Sequence, residues 1–148
     1  MVKIKEIYRD RWHDPKEVNA LVSRYLKSKS LNFPCGMSKL GDLRVDIDPN
    51  VKPDLVMDMY NPDFKGERFD CIYCDPPWNI PYDKRIPLVY KQFDLLKPNG
   101  ILIYNAPWIP NCKGFYLKEI HLTIPTFMMG NVACITILKK SNGELKEG

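Results

Sequence analysis

The sequence predicts an open α/β sheet, mostly parallel, whose last two strands form an antiparallel hairpin. The first observation is a succession of short apolar runs, each closed by an acidic or turn residue, which is typical of parallel strands buried on both faces. The second is helical periodicity before the first and the last of these runs. The third is a pair of strand-like segments near the C-terminus, separated by turn residues. The five short runs are Leu31–Phe33, Leu43–Ile47, Leu55–Met57, Phe69–Cys74 and Ile101–Tyr104.

The first expected element is a helix that begins after Asp14. Asp14 is suited to the N-cap, Pro15 to the first helical position, and Glu17 completes a capping box. The helix is expected to end between Lys27 and Ser30. Its apolar face is predicted at Val18, Leu21, Val22, Tyr25 and Leu26.

The connections between the early strands are short. The stretch from Gly36 to Arg44 and the stretch from Pro49 to Asp54 are both too short for a crossover helix, which usually takes about a dozen residues. We therefore expect both crossovers to be reduced to turns.

A second helix is predicted over Leu88–Leu96, stopped by Lys97–Gly100 before the fifth strand. The final hairpin is predicted over Leu117–Ile124 and Ala133–Lys139, with Pro125–Asn131 as its loop.

The chain has 148 residues, of which 45% are hydrophobic and 27% charged. This size and composition predict one globular domain over 1–148, with a basic N-terminal arm and helix over 1–30 and a core over 31–148. Neither a membrane-length apolar run nor a signal-peptide pattern is present, so a cytoplasmic location is expected.

The net charge of +4 is uneven. Residues 1–30 hold eight Lys and Arg against four Asp and Glu, whereas the remainder is balanced. Two interpretations stay open: a basic arm that contacts nucleic-acid phosphates, or a solvated surface without a partner.

The five cysteines are odd in number and unevenly spaced, which disfavours a disulfide framework. Cys71 and Cys74 form a C-x-x-C, but no second pair completes a zinc site. Because they lie three apart in a strand, their side chains should point to opposite faces, as buried free thiols.

The chemistry centres on Asp75-Pro76-Pro77-Trp78, which closes the fourth apolar run. The prolines stiffen the loop, and the Asp75 carboxylate and the Pro76 carbonyl are both hydrogen-bond acceptors. Two acceptors suit an NH₂ group, whose lone pair they would turn toward an electrophile. Trp78 offers a flat apolar face on which a planar base can stack.

This motif is similar to the (Asp/Asn/Ser)-Pro-Pro-aromatic motif of class I S-adenosylmethionine-dependent amino-methyltransferases, whose Asp-Pro-Pro-Trp members typically act on adenine N6. The resemblance extends from about Leu31 to Lys140. It implies a Rossmann-like class I methyltransferase sheet, S-adenosyl-L-methionine as cofactor, and DNA or RNA as substrate.

By the same resemblance, Leu31–Gly36 looks like the first strand and the cofactor loop. Asp46 looks like the acid that bonds the cofactor ribose, and Asp58 like the acid that reads the adenine amine. Lys97–Gly100 matches the usual lead-in to the fifth strand. Within the loop, the implied cofactor residues are Asn32, Pro34, Cys35 and Gly36.

The sequence departs from the family pattern in its glycines, because Gly36 is followed by another glycine only at Gly41. No segment resembles a target-recognition domain, so the target would be chosen by the core, the basic arm or a protein partner. Three alternatives stay open: methylation of cytosine N4 or a protein glutamine, a non-catalytic subunit that binds a partner or nucleic acid, and a plain nucleotide-binding module.

Other residues have two interpretations. Asp46 and Asp58 also suit turn or solvent-facing positions, and Asn79 suits either the site or a loop. Trp108 suits either the target pocket or core packing. His13, beside Trp12 and Asp14, is expected to be structural, and His121 is expected to be an exposed edge residue.

Overall fold

A single eight-stranded sheet contains every strand of the computed structural model, which describes residues 16–122 and 133–141 and the backbone of 3–6 and 123–124. The spatial order is β1-β7-β8-β6-β5-β2-β3-β4. The strands are β1 Lys3–Glu6, β2 Ser30–Asn32, β3 Leu43–Asp46, β4 Leu55–Val56, β5 Phe69–Cys74, β6 Leu96–Ala106, β7 Phe115–Ile124 and β8 Ala133–Lys140. The helices are α1 Lys16–Ser23 and α2 Tyr82–Leu95.

Strand directions confirm the predicted mixed sheet. The pairs from β4 through β3, β2 and β5 to β6 are all parallel. Strand β8 is antiparallel to both β6 and β7, as the predicted hairpin requires. The proposed hairpin loop at 125–131 lies outside the described residues.

The two faces of the sheet carry separate apolar cores. One core packs Val89 and Leu95 of α2 against β5 and β6, with Ile72, Cys74 and Leu102 fully buried. The other packs α1 against a second set of side chains: Val18, Val22, Cys71, Tyr73, Ile103, Ile135 and Ile137. Cys71 and Cys74 therefore point to opposite faces as buried free thiols, which confirms that prediction.

Both early crossovers are reduced, as predicted. The chain between β2 and β3 contains no helix, and between β3 and β4 it forms a short 3-10 turn over Pro49–Val51. One consequence contradicts the expected burial of the third run, because Leu55 and Val56 of β4 are 44% and 60% exposed. Strand β4 lies at the sheet edge, where no described helix covers it.

Helix boundaries differ from the predictions at two places. Helix α1 ends at Ser23, earlier than the predicted Lys27–Ser30, although the Leu26 amide still bonds the Val22 carbonyl at 3.1 Å. Helix α2 begins at Tyr82 instead of Leu88 and includes Pro87. Pro87 is the sixth residue of α2 and cannot donate an intrahelical hydrogen bond, yet the helix continues through it to Leu95. The predicted cap at Asp14 and Pro15 lies outside the described residues.

The predicted stop at Lys97–Gly100 is already part of β6, which starts at Leu96. The register between β5 and β6 shifts near this point, and Asn99 has a φ of 62°. Gly100 is required by space: an added Cβ would lie 2.8 Å from the Lys97 carbonyl oxygen and 2.9 Å from Leu96 Cδ2.

The basic N-terminal arm contains an unpredicted strand, β1, which pairs in parallel with β7. Strand β7 is therefore not a sheet edge, and the expectation for His121 is wrong: its side chain is only 22% exposed and its Nε2 lies 2.8 Å from Glu119 Oε2. Among the described residues, no helix is long and apolar enough to cross a membrane.

Candidate active site

The carboxyl ends of β3, β2, β5 and β6 meet along one edge of the sheet, because these neighbouring strands are parallel. In register, Asn32 of β2 lies beside Tyr73 of β5, and Cys74 of β5 lies beside Tyr104 of β6. The loops that follow β2, β5 and β6 therefore leave the sheet next to one another. In open α/β sheets this edge is where ligands bind.

The loop after β2 is fixed by its own polar groups. The buried Asn32 donates through Nδ2 to Ser38 Oγ at 3.1 Å and to the Leu40 carbonyl at 3.0 Å. Its Oδ1 is buried with no partner among the described residues. Gly41, with a φ of 90°, packs against Asn32, where a Cβ would lie 3.2 Å from Asn32 Cβ.

Gly36 occupies the tip of this loop. It has a φ of 49°, which favours glycine, and a Cβ built there would meet no atom within 4 Å. Pro34 is half-buried, while Cys35 is buried and donates its amide to the Val45 carbonyl at 2.9 Å. The loop thus presents backbone and open space at Gly36.

Asp46 ends β3 and joins it to the β2 loop. Its Oδ2 accepts the Gly36 amide at 2.8 Å, and its Oδ1 accepts the Asp48 amide at 3.0 Å. Burial raises the pKa of the Cys35 thiol, and the Asp46 carboxylate raises it further. Asp46, the residue predicted to bind the ribose, therefore organises the glycine loop.

Asp58 follows β4, separated from it by Met57. Its carboxylate accepts the Tyr60 amide at 2.9 Å and the Asn61 side-chain amide at 3.3 Å, which closes a turn. Burial raises the pKa of Tyr60, and Asp58 and then Cys74 raise it further.

The Asp75–Trp78 loop leaves β5 at the centre of this edge. Asp75 and Trp78 are half-buried, Pro76 is buried, and Pro77 is exposed. The Ile80 amide bonds the Pro77 carbonyl at 3.4 Å, and α2 begins two residues later. Asn79 is exposed, which fits its interpretation as a loop residue.

Trp108, which follows β6, lines the same region. It packs against the core of the α2 face, and its ring centroid is 6.3 Å from that of Tyr104. Burial raises the pKa of Tyr104 above its usual range, and the Trp108 side chain partly offsets that rise. The guanidinium carbon of Arg85 lies 4.0 Å from the Trp108 ring centroid, so this tryptophan packs against both the core and Arg85.

The structure brings together residues that the sequence did not single out. Tyr60, Tyr82 and Arg85 lie around the first turn of α2: Lys84 Nζ lies 5.8 Å from the Tyr60 ring and Arg85 lies 5.7 Å from the Tyr82 ring. Two features of the sequence could have indicated these residues: aromatic residues next to strand ends, and basic residues after the Pro-Pro loop.

Some residues that the sequence analysis singled out do not lie at this edge of the sheet. His121 is on β7 and contacts Glu119, away from this edge. Trp12 and His13 lie outside the described residues. Within the part of the chain that the structure describes, no group of three His, Cys, Asp or Glu side chains could hold a metal ion.

Comparison with known proteins gives no match to a family model and none to the curated proteins. Solved structures do match. TrmN from Thermus thermophilus aligns with a TM-score of 0.63 and 15% identity over 82% of this chain. This chain spans 47% of the length of TrmN.

Two further structures match over most of both chains. N-methyltransferase NodS from Bradyrhizobium japonicum, in complex with S-adenosyl-L-homocysteine, has a TM-score of 0.63 and 10% identity, covering 84% of this chain and 86% of NodS. An rRNA methylase from Streptococcus thermophilus has a TM-score of 0.57 and 12% identity, covering 84% of this chain and 95% of the methylase. These likenesses establish the fold as the Rossmann-like methyltransferase sheet.

Proposed function

We propose that this chain transfers a methyl group from S-adenosyl-L-methionine to an exocyclic amine, and that the amine is adenine N6 in DNA or RNA. One observation carries the proposal: the Asp75–Trp78 loop leaves β5 directly beside β2, whose loop is tied to Asp46 through Gly36. An amine-binding loop and a candidate cofactor loop therefore share one sheet edge.

The residues present fit S-adenosyl-L-methionine. The loop after β2 offers open space at Gly36 and a buried, unpartnered amide oxygen on Asn32. In the proposal, Pro34, Cys35 and Gly36 line the cofactor, Asp46 accepts from its ribose, and Asp58 accepts from its adenine amine. When bound, S-adenosyl-L-methionine supplies an electrophilic methyl group on a positively charged sulfur.

The proposed task of Asp75 and Pro76 is to hold the amine. Their oxygens accept its two hydrogens, so the nitrogen lone pair is turned away from the aromatic ring and toward the methyl group. Such positioning is a large source of rate enhancement. The surplus proton leaves the nitrogen after transfer, so the mechanism requires no dedicated base. Pro77 keeps the loop rigid.

Trp78 is proposed to stack on the target base, which is worth roughly 1–3 kcal/mol per base. A base within a duplex must first be flipped out of the helix. The name of one similar structure, an rRNA methylase, supports a nucleic-acid substrate. The eight basic residues within 1–30 also favour it.

The same two acceptors would serve cytosine N4 or a protein glutamine amide, so these remain the enzymatic alternatives. A non-catalytic subunit is favoured by one observation: Gly41 packs against Asn32, which leaves Gly36 as the one glycine at the loop tip. We also propose that the chain forms a single domain over 1–148, that it is cytoplasmic, and that a protein partner supplies target recognition.

Incubation with methyl-labelled S-adenosyl-L-methionine and separate pools of single-stranded DNA, duplex DNA, RNA and protein tests the proposal. We expect label in N6-methyladenine, identified by mass spectrometry of the digested product. Label in N4-methylcytosine or methylglutamine would replace the adenine assignment. Calorimetric binding of the cofactor with no transfer to any pool would support the non-catalytic subunit, and preference for another nucleotide would support the nucleotide-binding module.

A further inference from the structure

The first turn of α2 presents an arginine and a tyrosine beside the Asp75–Trp78 loop. We propose that Arg85 and Tyr82 form a docking platform for single-stranded nucleic acid, with Arg85 holding a phosphate and Tyr82 stacking a base that flanks the target. This inference rests on the proposed function and deepens it, because it names the substrate class of the same site.

Arg85 is held in place by two contacts. Its guanidinium carbon lies 4.0 Å from the Trp108 ring centroid, which is a close cation–π distance. Its Nε donates to the Ile80 carbonyl at 3.3 Å. The plane of the guanidinium is therefore fixed between the loop after β5 and the loop after β6.

Within the described residues, the outer guanidinium nitrogens of the half-buried Arg85 form no hydrogen bond. No described carboxylate lies within ion-pair distance of Arg85, although Asp83 is in the same turn. A planar, permanently charged fork suits a phosphate because it can donate two parallel hydrogen bonds. Since its orientation is already set, binding loses less side-chain entropy.

Tyr82 is the second half of the platform. Its side chain is 84% exposed, the largest value among the exposed hydrophobic residues of the described chain. The Arg85 cation lies 5.7 Å from its ring, so the aromatic face and the phosphate donor are close together. Lys84, over the Tyr60 ring at 5.8 Å, adds another positive charge.

An exposed aromatic next to an oriented arginine is typical of surfaces that bind single strands, where unpaired bases stack and phosphates meet cations. Bases inside a duplex are already stacked on one another and cannot lie on Tyr82. A glutamine side chain in a protein carries neither a phosphate nor a stacking base. The platform therefore favours a single-stranded polynucleotide over the other amine substrates.

Cofactor-free binding of a fluorescent, adenine-containing single-stranded oligonucleotide, followed by anisotropy over a salt series, tests the inference. Arg85→Gln should weaken binding about tenfold and reduce the slope of log affinity against log salt by about 0.7, the value for one phosphate contact on a single strand. Arg85→Lys should keep that slope while losing part of the affinity. Tyr82→Ala should weaken binding about tenfold, and Tyr82→Phe should restore it.

Two variants serve as matched controls. Arg68→Gln removes an exposed arginine that directly precedes β5, at the opposite end of that strand from the Asp75–Trp78 loop. Tyr116→Ala removes a tyrosine on β7 that is 57% exposed. Both should change affinity by less than about twofold, as expected for surface substitutions away from an interface.

The inference is overturned if the Arg85 and Tyr82 variants bind like the two controls, or if the native chain binds the duplex or a glutamine peptide more tightly than the single strand. These outcomes are separate from failure of methyl transfer. If methyl transfer to adenine occurs but the Arg85 and Tyr82 variants bind as well as the native chain, only the docking platform is contradicted. If these variants bind more weakly but no methyl transfer occurs, only the enzymatic function is contradicted.

Discussion

The Asp46 carboxylate accepts the Gly36 backbone amide at 2.8 Å, so the acid that ends β3 fixes the loop that follows β2. Gly36 has a φ of 49°, and the bond to Asp46 holds it in that conformation. Because Asp46 also accepts the Asp48 amide, one buried side chain ties together the ends of two neighbouring strands.

Asp46→Asn should therefore weaken both the fold and the cofactor site. An amide has one acceptor oxygen in place of two, so either the Gly36 or the Asp48 bond is lost, at about 1.5–3 kcal/mol for a bond to a charged group. Urea unfolding measures the loss of stability, and calorimetry with S-adenosyl-L-methionine should show weaker binding. The control Asp48→Asn should change stability by less than about 0.5 kcal/mol, because asparagine caps the 3-10 turn as well as aspartate does. Equal stability of the Asp46→Asn and Asp48→Asn variants would contradict the role of Asp46 in tying the two strand ends together.

Alanine at two glycines should separate cofactor binding from folding. At Gly36 an added methyl meets no atom, so Gly36→Ala should cost only the strain of a positive φ, about 1–2 kcal/mol, while blocking the proposed cofactor space. At Gly100 the methyl would overlap Leu96 and the Lys97 carbonyl, so Gly100→Ala should cost about 1–3 kcal/mol and leave cofactor affinity unchanged. Chemical denaturation and calorimetry on both proteins provide the comparison. If Gly100→Ala weakened cofactor binding more than Gly36→Ala did, Gly36 would not face the cofactor.

Variants of Asp75 test the proposal that its carboxylate holds the target amine. Asp75→Ala should keep S-adenosyl-L-methionine affinity but lower transfer by about 100-fold or more, in line with the loss of a preorganised hydrogen-bonding group at a reaction centre. Asp75→Asn retains one acceptor oxygen and should keep measurable transfer. Single-turnover transfer of labelled methyl groups distinguishes the two. Full activity of Asp75→Ala would rule out this mechanism.

The sequence was sufficient to predict the central strand and its loop. Phe69–Cys74 was predicted with the bounds that the structure has, because an apolar run interrupted only by Asp70 and followed by Asp75-Pro76 marks both the strand and its end. The shortened crossovers were also predictable from loop length alone. These are local features, in which neighbouring residues decide the outcome.

The platform on α2 could not be predicted in the same way. The predicted helix began at Leu88 and so left out Tyr82 and Arg85, whereas the helix begins at Tyr82 and runs through Pro87. The contact between Arg85 and Trp108 also joins distant parts of the chain and depends on the register of β5 and β6. The exposure of Val56 likewise depends on more than its neighbours in sequence, because no described helix covers β4 at the sheet edge.

Lys140 is predicted to act as a C-terminal cap for α2 from a distant strand. Its Nζ donates to the Phe93 carbonyl at 2.9 Å and to the Leu96 carbonyl at 2.7 Å. A lysine at a helix C-terminus hydrogen-bonds the last carbonyls and interacts favourably with the helix dipole. Lys140→Met keeps the apolar stem and should cost about 1–3 kcal/mol in urea unfolding. Lys139→Met, next to it on β8, should cost less than about 0.5 kcal/mol, and similar losses in both would argue against capping.

The contact between Tyr25 and Glu119 should make stability depend on pH at both extremes. The Tyr25 hydroxyl donates to Glu119 Oε1, which ties the segment after α1 to β7. Burial first, and then this bond, raise the pKa of Tyr25 from 10.0 to about 12. The bonds from Tyr25 and His121 lower the pKa of Glu119.

A raised tyrosine pKa in the folded state means that its contribution to stability is complete below pH 10.0 and is lost as the pH rises through about 12. A lowered glutamate pKa means that its contribution is present above 4.5 and is lost as the pH falls through the folded-state value. Urea unfolding across both ranges should show these losses. Tyr25→Phe should remove the alkaline loss and Glu119→Gln the acid one, whereas the control Tyr116→Phe, an exposed tyrosine on β7, should leave both in place. An unchanged pH profile in Tyr25→Phe and Glu119→Gln would show that this bond does not link α1 to the sheet in solution.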